Sequence, residues 1–238
     1  MKLRFSRQLS ILGAAGQERL RTLRVLVGGA GGLGSAVLYY LAAAGVGTIL
    51  VIDMDKVAPP DLNRQILYTS NDIGKLKVEI AAMRLKELNP EIEVVPIVLQ
   101  LNEENAIELA SNVDILVDCF DNWDARFALN KAAVENVKPL IHGAVEEMYG
   151  IITSIYPGRT PCLKCIYSRP KDVPGPLQVI GGIAGAIGAL EALEVVKIAT
   201  GVGEPLYGKM LYIDMKSGVI EQFRVKRNPD CPLCGNIN

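Results

Sequence analysis

Only one histidine, His142, stands in the 238 residues. A lone histidine beside apolar strand residues reads as a satisfied structural group, so imidazole chemistry has little place here. Excess charge is missing too. Lysine and arginine number 25 against 26 aspartates and glutamates, and a net charge of −1 supplies no global field for nucleic acid. Long apolar runs are absent. The longest, Val179 to Leu190, is rich in glycine and alanine, is too short to span a bilayer and reads as a buried helix. No secretory signal is visible in Met1 to Arg24, where arginines and a lysine are scattered among polar residues, so the expected setting is cytoplasmic. In that setting five cysteines point to metal binding or catalysis rather than to disulfides. Half the residues are hydrophobic and 21% are charged, which suits one α/β domain with a sizeable core over 1–238.

What is present centres on Val25 to Asp55. Leu23 to Val27 is an apolar strand, Ser35 to Ala44 has helical spacing, and Thr48 to Ile52 is a second strand closed by Asp53. Between the first strand and the helix lie Gly29, Gly31 and Gly34, with Gly28 and Gly32 beside them. This G-x-G-x-x-G turn lets backbone N–H groups approach phosphate at a helix N-terminus, and an acidic residue ending the next strand can hold ribose hydroxyls. A tight packing turn is the bland alternative. The fingerprint leaves the nucleotide open between a dehydrogenase cofactor and ATP.

The flanking chain narrows the choice. Residues 1–22 read as a helical arm with Arg4, Arg7 and Gln8 near one end, either a packing helix or a basic arm that reaches an anion in another subunit. After Asp53 and Asp55, Pro59-Pro60 ends regular structure, and Asn63, Arg64 and Gln65 follow in a loop. Asn71-Asp72 reads as the cap of a helix over Ile73 to Leu88, which carries Lys77. Arginine in such a loop suits bidentate phosphate contact. Strands are expected at 92–98, 113–119 and 140–145, and helices at 103–111 and 125–135. Asp121 and Asn122 follow the fourth strand, on the sheet edge that also carries Gly31 and Asp53. Asp121 is either a Mg²⁺ ligand or the cap of the next helix. Residues 149–156, 210–214 and 219–225 alternate as strands, with a hairpin signal at 215–218 and a long apolar helix at 183–200. The fold expected is therefore an α/β, Rossmann-like nucleotide-binding fold with a mixed sheet, parallel in the first half and antiparallel in the second.

Two C-x-x-C pairs, Cys162 with Cys165 and Cys231 with Cys234, have the spacing of a closed tetrahedral zinc site built from four thiolates, structural because it leaves no open position. Redox pairs or free thiols are the alternatives. Cys119 falls in a buried strand and reads as inert.

In order and combination, RFSRQ at 4–8, VGGAGGLGS at 27–35, IDMDKV at 52–57, NRQ at 63–65, GKLKVE at 74–79, DCFDN at 118–122 and the paired C-x-x-C elements resemble the MoeB/ThiF/HesA family, and its MoeB-type members most. These are relatives of ubiquitin-activating enzymes. The resemblance covers essentially the whole chain. It implies MgATP-dependent adenylation of the C-terminal Gly-Gly carboxylate of a ubiquitin-like sulfur-carrier protein, with release of pyrophosphate. It also implies a homodimer in which Arg7 enters the partner's active site. Gly29, Gly31, Gly32 and Gly34 would cradle the nucleotide and Asp53 would hold the ribose. Asp55, Asn63, Gln65 and Asn122 would line the site, Arg64 and Lys77 would bind the triphosphate, and Asp121 would bind Mg²⁺. Residues 23–145 would be the nucleotide-binding half, and 146–238 the half with the zinc knuckles and the carrier surface.

Some members of the family carry a further cysteine between the first knuckle and the long helix. Ile166 to Ile183 has none, so the acyl-adenylate is expected to pass to a separate sulfurtransferase or cysteine desulfurase. The sequence alone leaves open molybdopterin, thiamin or tRNA thiolation as the pathway. It also leaves a different acceptor, an NAD-dependent oxidoreductase, or a scaffold without activity.

Overall fold

The chain, described by a computed structural model, is defined for residues 3–167, 170, 175 and 178–236. Its central parallel strands send apolar residues to both faces, and helices cover both faces there, as buried parallel strands require. The first unit is β1 (Arg24–Gly28), α2 (Gly32–Ala44) and β2 (Thr48–Ile52), preceded by α1 (Ser6–Thr22). Then come α3 (Lys77–Leu88), β3 (Glu93–Ile97), α4 (Glu103–Ser111), β4 (Ile115–Asp118), α5 (Trp123–Asn136) and β5 (Leu140–Glu146). The remainder is β6 (Tyr149–Ile155), the short α6 (Leu163–Ile166), α7 (Gly181–Thr200), β7 (Lys209–Asp214) and β8 (Val219–Arg224).

Among the described residues, eight strands form one sheet in the order β3-β2-β1-β4-β5-β6-β7-β8. The first five are parallel, and every pairing from β5 onward is antiparallel. The chain thus has the expected Rossmann-like mixed sheet. Side chains divide by the period of two. Val25, Val27, Ile49, Val51, Val117 and Ile141 join the core under α1, α2, α3 and α7. Leu26, Leu50, Leu116 and Leu140 join the core that holds α4, α5 and the four knuckle cysteines.

Two local expectations are corrected. The helix expected from Ile73 begins at Lys77. Gly74 has φ +85°, and the chain there pairs with the loop after β2: Gly74 N–H donates to Val57 O, Val57 N–H to Lys75 O, and Lys77 N–H to Asp55 O. Asp72 instead closes a turn with Thr69 and pairs with Arg84. In the arm, α1 is broken at Gly13, whose φ of 69° and ψ of 171° are not helical.

Register sets the working edge. Gly28 aligns with Ile52 of β2 and with Asp118 of β4. The glycine turn, Asp53 and the Cys119–Asp121 turn therefore leave the sheet side by side. β1 lies between strands reached in opposite directions, the switch point where open α/β sheets place ligands.

Candidate active site

The glycine turn is shaped by sterics on one side and left open on the other. Gly29 has φ +94°, and a Cβ there would lie 2.7 Å from the Cys119 carbonyl oxygen. A Cβ on Gly34 would overlap the Gly29 carbonyl. At Gly31 the space is open, with only the Gln65 amide at 3.8 Å. Gly32 lies at the start of α2 beside Arg64. Asp53 fixes the turn from below: its carboxylate accepts from Ala30 N–H and from Asp55 N–H, each at 2.8 Å. Burial pushes the Asp53 carboxyl up, against the pull of those two N–H groups. Tyr68 closes the far side by donating to Ala30 O at 2.8 Å.

The basic residues gather on a carboxylate that sequence reasoning left out of the site. Asp61 is buried and accepts from Gln65 Nε2 at 2.8 Å and from Arg64 at 3.4 Å, and it lies 3.9 Å from Lys77 Nζ. The spacing Asp61, Arg64, Gln65 was the available signal, because residues three and four apart meet on one side of a turn. Arg64 also donates to Pro60 O and to the exposed Asn63. Lys77 is only 5% exposed, and its ammonium lies 3.1 Å from Asp55. Asp55 is thus a counter-ion in the place where phosphate oxygens would compete. Gln65 keeps a buried Oε1 that meets no hydrogen-bond donor among the described residues. An unsatisfied acceptor beside an open glycine cradle fits a nucleotide's hydroxyl or amino donors.

Across the cradle, Asp121 is exposed in the bend between β4 and α5. It does not cap α5. Asn122 does, accepting from Ala125 N–H at 2.9 Å. Behind this bend lies a buried polar group. His142 Nδ1 stands 2.7 Å from Asp118 Oδ2, both fully buried, and His142 Nε2 stands 3.3 Å from the Tyr167 hydroxyl. Burial lowers the pKa of His142 although Asp118 opposes the shift, which favours the neutral ring. Arg126 donates to Phe120 O at 2.6 Å. Glu191 of α7 is fully buried beside Cys119 and Gly143, and burial together with the charge of Asp118 raises its pKa well above the ordinary range. Burial likewise raises Cys119, an unreactive thiol.

Arg7 is not at this edge of its own chain. Gln8 donates to Ala44 O and Phe5 packs on Gly45, both at the far end of α2. A helix the length of α2 separates that end from the glycine turn by about 20 Å.

The thiols of Cys162, Cys165, Cys231 and Cys234 lie within 4.8 Å of one another. Cys162 and Cys231 are 3.7 Å apart, and Cys165 and Cys234 3.4 Å. Tetrahedral zinc at about 2.3 Å from each sulfur needs separations of about 3.8 Å, so the donor set fits. Burial holds the Cys162 thiol high. Burial also acts on Cys231, but hydrogen bonds from the Cys234 and Leu233 backbone and from the Cys165 and Cys234 thiols together lower it to about 7. The first knuckle is tied to α5 by Leu163 N–H donating to the buried Asn130 side chain at 2.9 Å.

A Rossmann-like sheet with an open glycine turn at its switch point, and an arginine and a lysine gathered on Asp61 beside it, has the architecture of a nucleotide-binding protein. The chain belongs to the ThiF family, whose model matches residues 5–233. It is 39% identical to the sulfur carrier protein adenylyltransferase of Thermus thermophilus, over 98% of this chain and 90% of that protein. It is 36% identical to the SAMP-activating enzyme E1 of Haloferax volcanii, over 98% of this chain and 88% of that one. Among solved structures it resembles E. coli MccB with ATP, with a TM-score of 0.86, 28% identity and coverage of 99% of this chain and 74% of the other. Among the described residues no helix is long and apolar enough to cross a membrane.

Proposed function

We propose that the protein adenylates the C-terminal carboxylate of a ubiquitin-like sulfur-carrier protein ending in Gly-Gly, consuming ATP and releasing pyrophosphate. The observation that carries this reading is the single edge shared by the Gly31 cradle, the Arg64–Lys77 pair on Asp61, and Asp121. Similarity to a sulfur carrier protein adenylyltransferase supports it and favours adenylyl transfer over the nicotinamide alternative. Gly29, Gly31, Gly32 and Gly34 bring backbone to the phosphates, Asp53 takes the ribose, and Gln65 Oε1 accepts from the nucleoside. Asn63 and Asn122 border the pocket. Arg64 and Lys77 leave their carboxylate partners for the triphosphate and stabilise charge on departing pyrophosphate. Asp121 would hold Mg²⁺, which when bound neutralises phosphate charge. The attacking group is already a carboxylate, so no general base is needed, and the protein acts by positioning and electrostatics.

Arg7 joins the site from a second copy. Within one chain it is too far away, and it is exposed on α1. Beside it an apolar groove of about 740 Å³ runs between α1, α2 and α7, with Ile11, Tyr40 and Leu193 exposed along it. A second copy covering this groove makes a homodimer with shared active sites. The 146–238 half presents β8, exposed along its whole length, to the carrier. With no cysteine in Ile166 to Ile183, the acyl-adenylate passes to a separate sulfurtransferase or cysteine desulfurase in the cytoplasm. The product would serve molybdopterin, thiamin or tRNA thiolation.

The test is ATP–pyrophosphate exchange with Gly-Gly-ending carriers supplied one at a time. Asp121→Ala and Arg7→Ala should each abolish exchange. Mixed and allowed to re-pair, they should recover about a quarter of wild-type activity, since half the dimers are mixed and each has one intact site. No exchange with any carrier would overturn the activity. No recovery on mixing would overturn the shared site.

A further inference from the structure

The Cys119–Asp121 turn is held by hydrogen bonds and packing on both sides. Register places Asp118 directly beside His142. The Asp118 carboxylate divides its two oxygens, Oδ2 at 2.7 Å from His142 Nδ1 and Oδ1 accepting from Phe120 N–H at 3.2 Å. Arg126 takes the opposite side of the same residue through Phe120 O at 2.6 Å. The Phe120 ring fills the space over Gly28 that a Cβ would need, and Cys119 O abuts Gly29. Both peptide groups of Phe120 are therefore clamped, and its ring is keyed to the glycine turn. Asp121, the next residue, is left exposed.

We infer that His142 is a positioning residue for the Asp121 carboxylate, acting through Asp118 and the Phe120 peptide, with Tyr167 fixing its tautomer. This deepens the adenylation reading and rests on Asp121 as the Mg²⁺ ligand. The neutral ring has one proton to place. With Nδ1–H donated to Asp118, Nε2 is an acceptor and receives the Tyr167 hydroxyl at 3.3 Å. Tyr167 is set in turn by the Trp123 ring, at 4.8 Å between centroids, and by its own N–H donating to Leu163 O in the first knuckle. Asp118 is thereby locked in the one orientation that also accepts Phe120 N–H. Without His142, a buried carboxylate would be free to turn, and the distance between Asp121 and the glycine cradle would no longer be fixed. A metal held by one protein carboxylate and phosphate oxygens is sensitive to that distance.

The experiment is calorimetric ATP binding to the intact, tag-free protein, with and without Mg²⁺. In His142→Leu, Mg²⁺-free ATP should bind within about twofold of wild type, while the affinity gained on adding Mg²⁺ should fall about tenfold. His142→Gln can donate to Asp118 and accept from Tyr167, and should restore that gain to within about threefold. Equal Mg²⁺ gains in wild type and His142→Leu, with the gain lost in Asp121→Ala, overturn this inference and leave the metal reading standing. A normal gain in Asp121→Ala overturns the metal reading itself, and the inference with it. If His142→Leu does not fold, Tyr167→Phe replaces it, with a loss of gain of about threefold expected and an unchanged gain overturning the proposal. As the only histidine, His142 also gives a single imidazole signal by ¹⁵N NMR. An Nδ1–H tautomer is expected, and an Nε2–H tautomer would overturn the relay.

Discussion

Glu191 shows what a single buried side chain does to this molecule. Its carboxyl sits against Gly143, shut off from solvent, near Cys119 and the charge of Asp118, so burial holds it protonated. Its folded pKa lies above the unfolded value. The stability this proton contributes is fully present below the unfolded pKa near 4.5 and is lost as pH rises toward the folded pKa. Glu191→Gln keeps the shape and removes the titration. The variant should match wild type at pH 4.5 and become the more stable of the two as pH rises to 8, as read from urea midpoints at several pH values. A pH-independent difference between them would show that Glu191 does not titrate in this range. His142 belongs to the same scale. Its scarcity argued for a structural role. The structure places it fully buried against Asp118, and the positioning role proposed for it rests on that placement.

At the scale of elements, the sequence was legible wherever composition and period agreed. Helix 103–111 is found over its expected span, and the five parallel strands stand where apolar runs stood, within a residue or two. The start of α3 was not legible. Asn71-Asp72 has the composition of a cap, but Gly74 and pairing with the loop after β2 hold 73–76 extended, a long-range contact that no local pattern records. The Asp121-Asn122 pair was ambiguous for a similar reason: both residue types cap helices, and only backbone direction decides which one does. The structure gives the cap to Asn122 and leaves Asp121 open. Asn122→Ala should therefore cost about 1 kcal/mol of stability in thermal melts. It should weaken nucleotide binding far less than Asp121→Ala, and equal losses would mean that the Asn122 side chain serves the nucleotide rather than the helix.

Taken whole, the molecule is one sheet with its chemistry at one edge and its cysteine cluster on the face of α5. The cluster joins the C-terminal tail to the first knuckle, and Arg227 adds a bond to Gly158 O at 2.9 Å and bonds to the carbonyls of Cys234 and Gly235. A metal there closes a span of 69 residues from Cys162 to Cys231, containing α7, β7 and β8. We expect close to one zinc per chain. Stripping it with a strong chelator should lower Tm by about 10 °C, corresponding to about 3 kcal/mol, and should expose the tail to protease. A chain free of zinc with unchanged melting would remove the zinc assignment.

The sequence by itself determined the parallel-then-antiparallel order, the glycine turn, the paired cysteines and the basic residues that follow the second strand. Each is written in local period, glycine placement or short spacing, which physics reads without the rest of the chain. Tertiary structure alone decided that Lys77 joins Arg64 and Gln65 at Asp61, that Arg7 lies a helix-length from the glycine turn of its own chain, and that His142 pairs with Asp118 behind the Asp121 bend. Each is a relation between residues far apart in the chain, and only the packing of elements and the sheet register decide which of them meet and which are held apart.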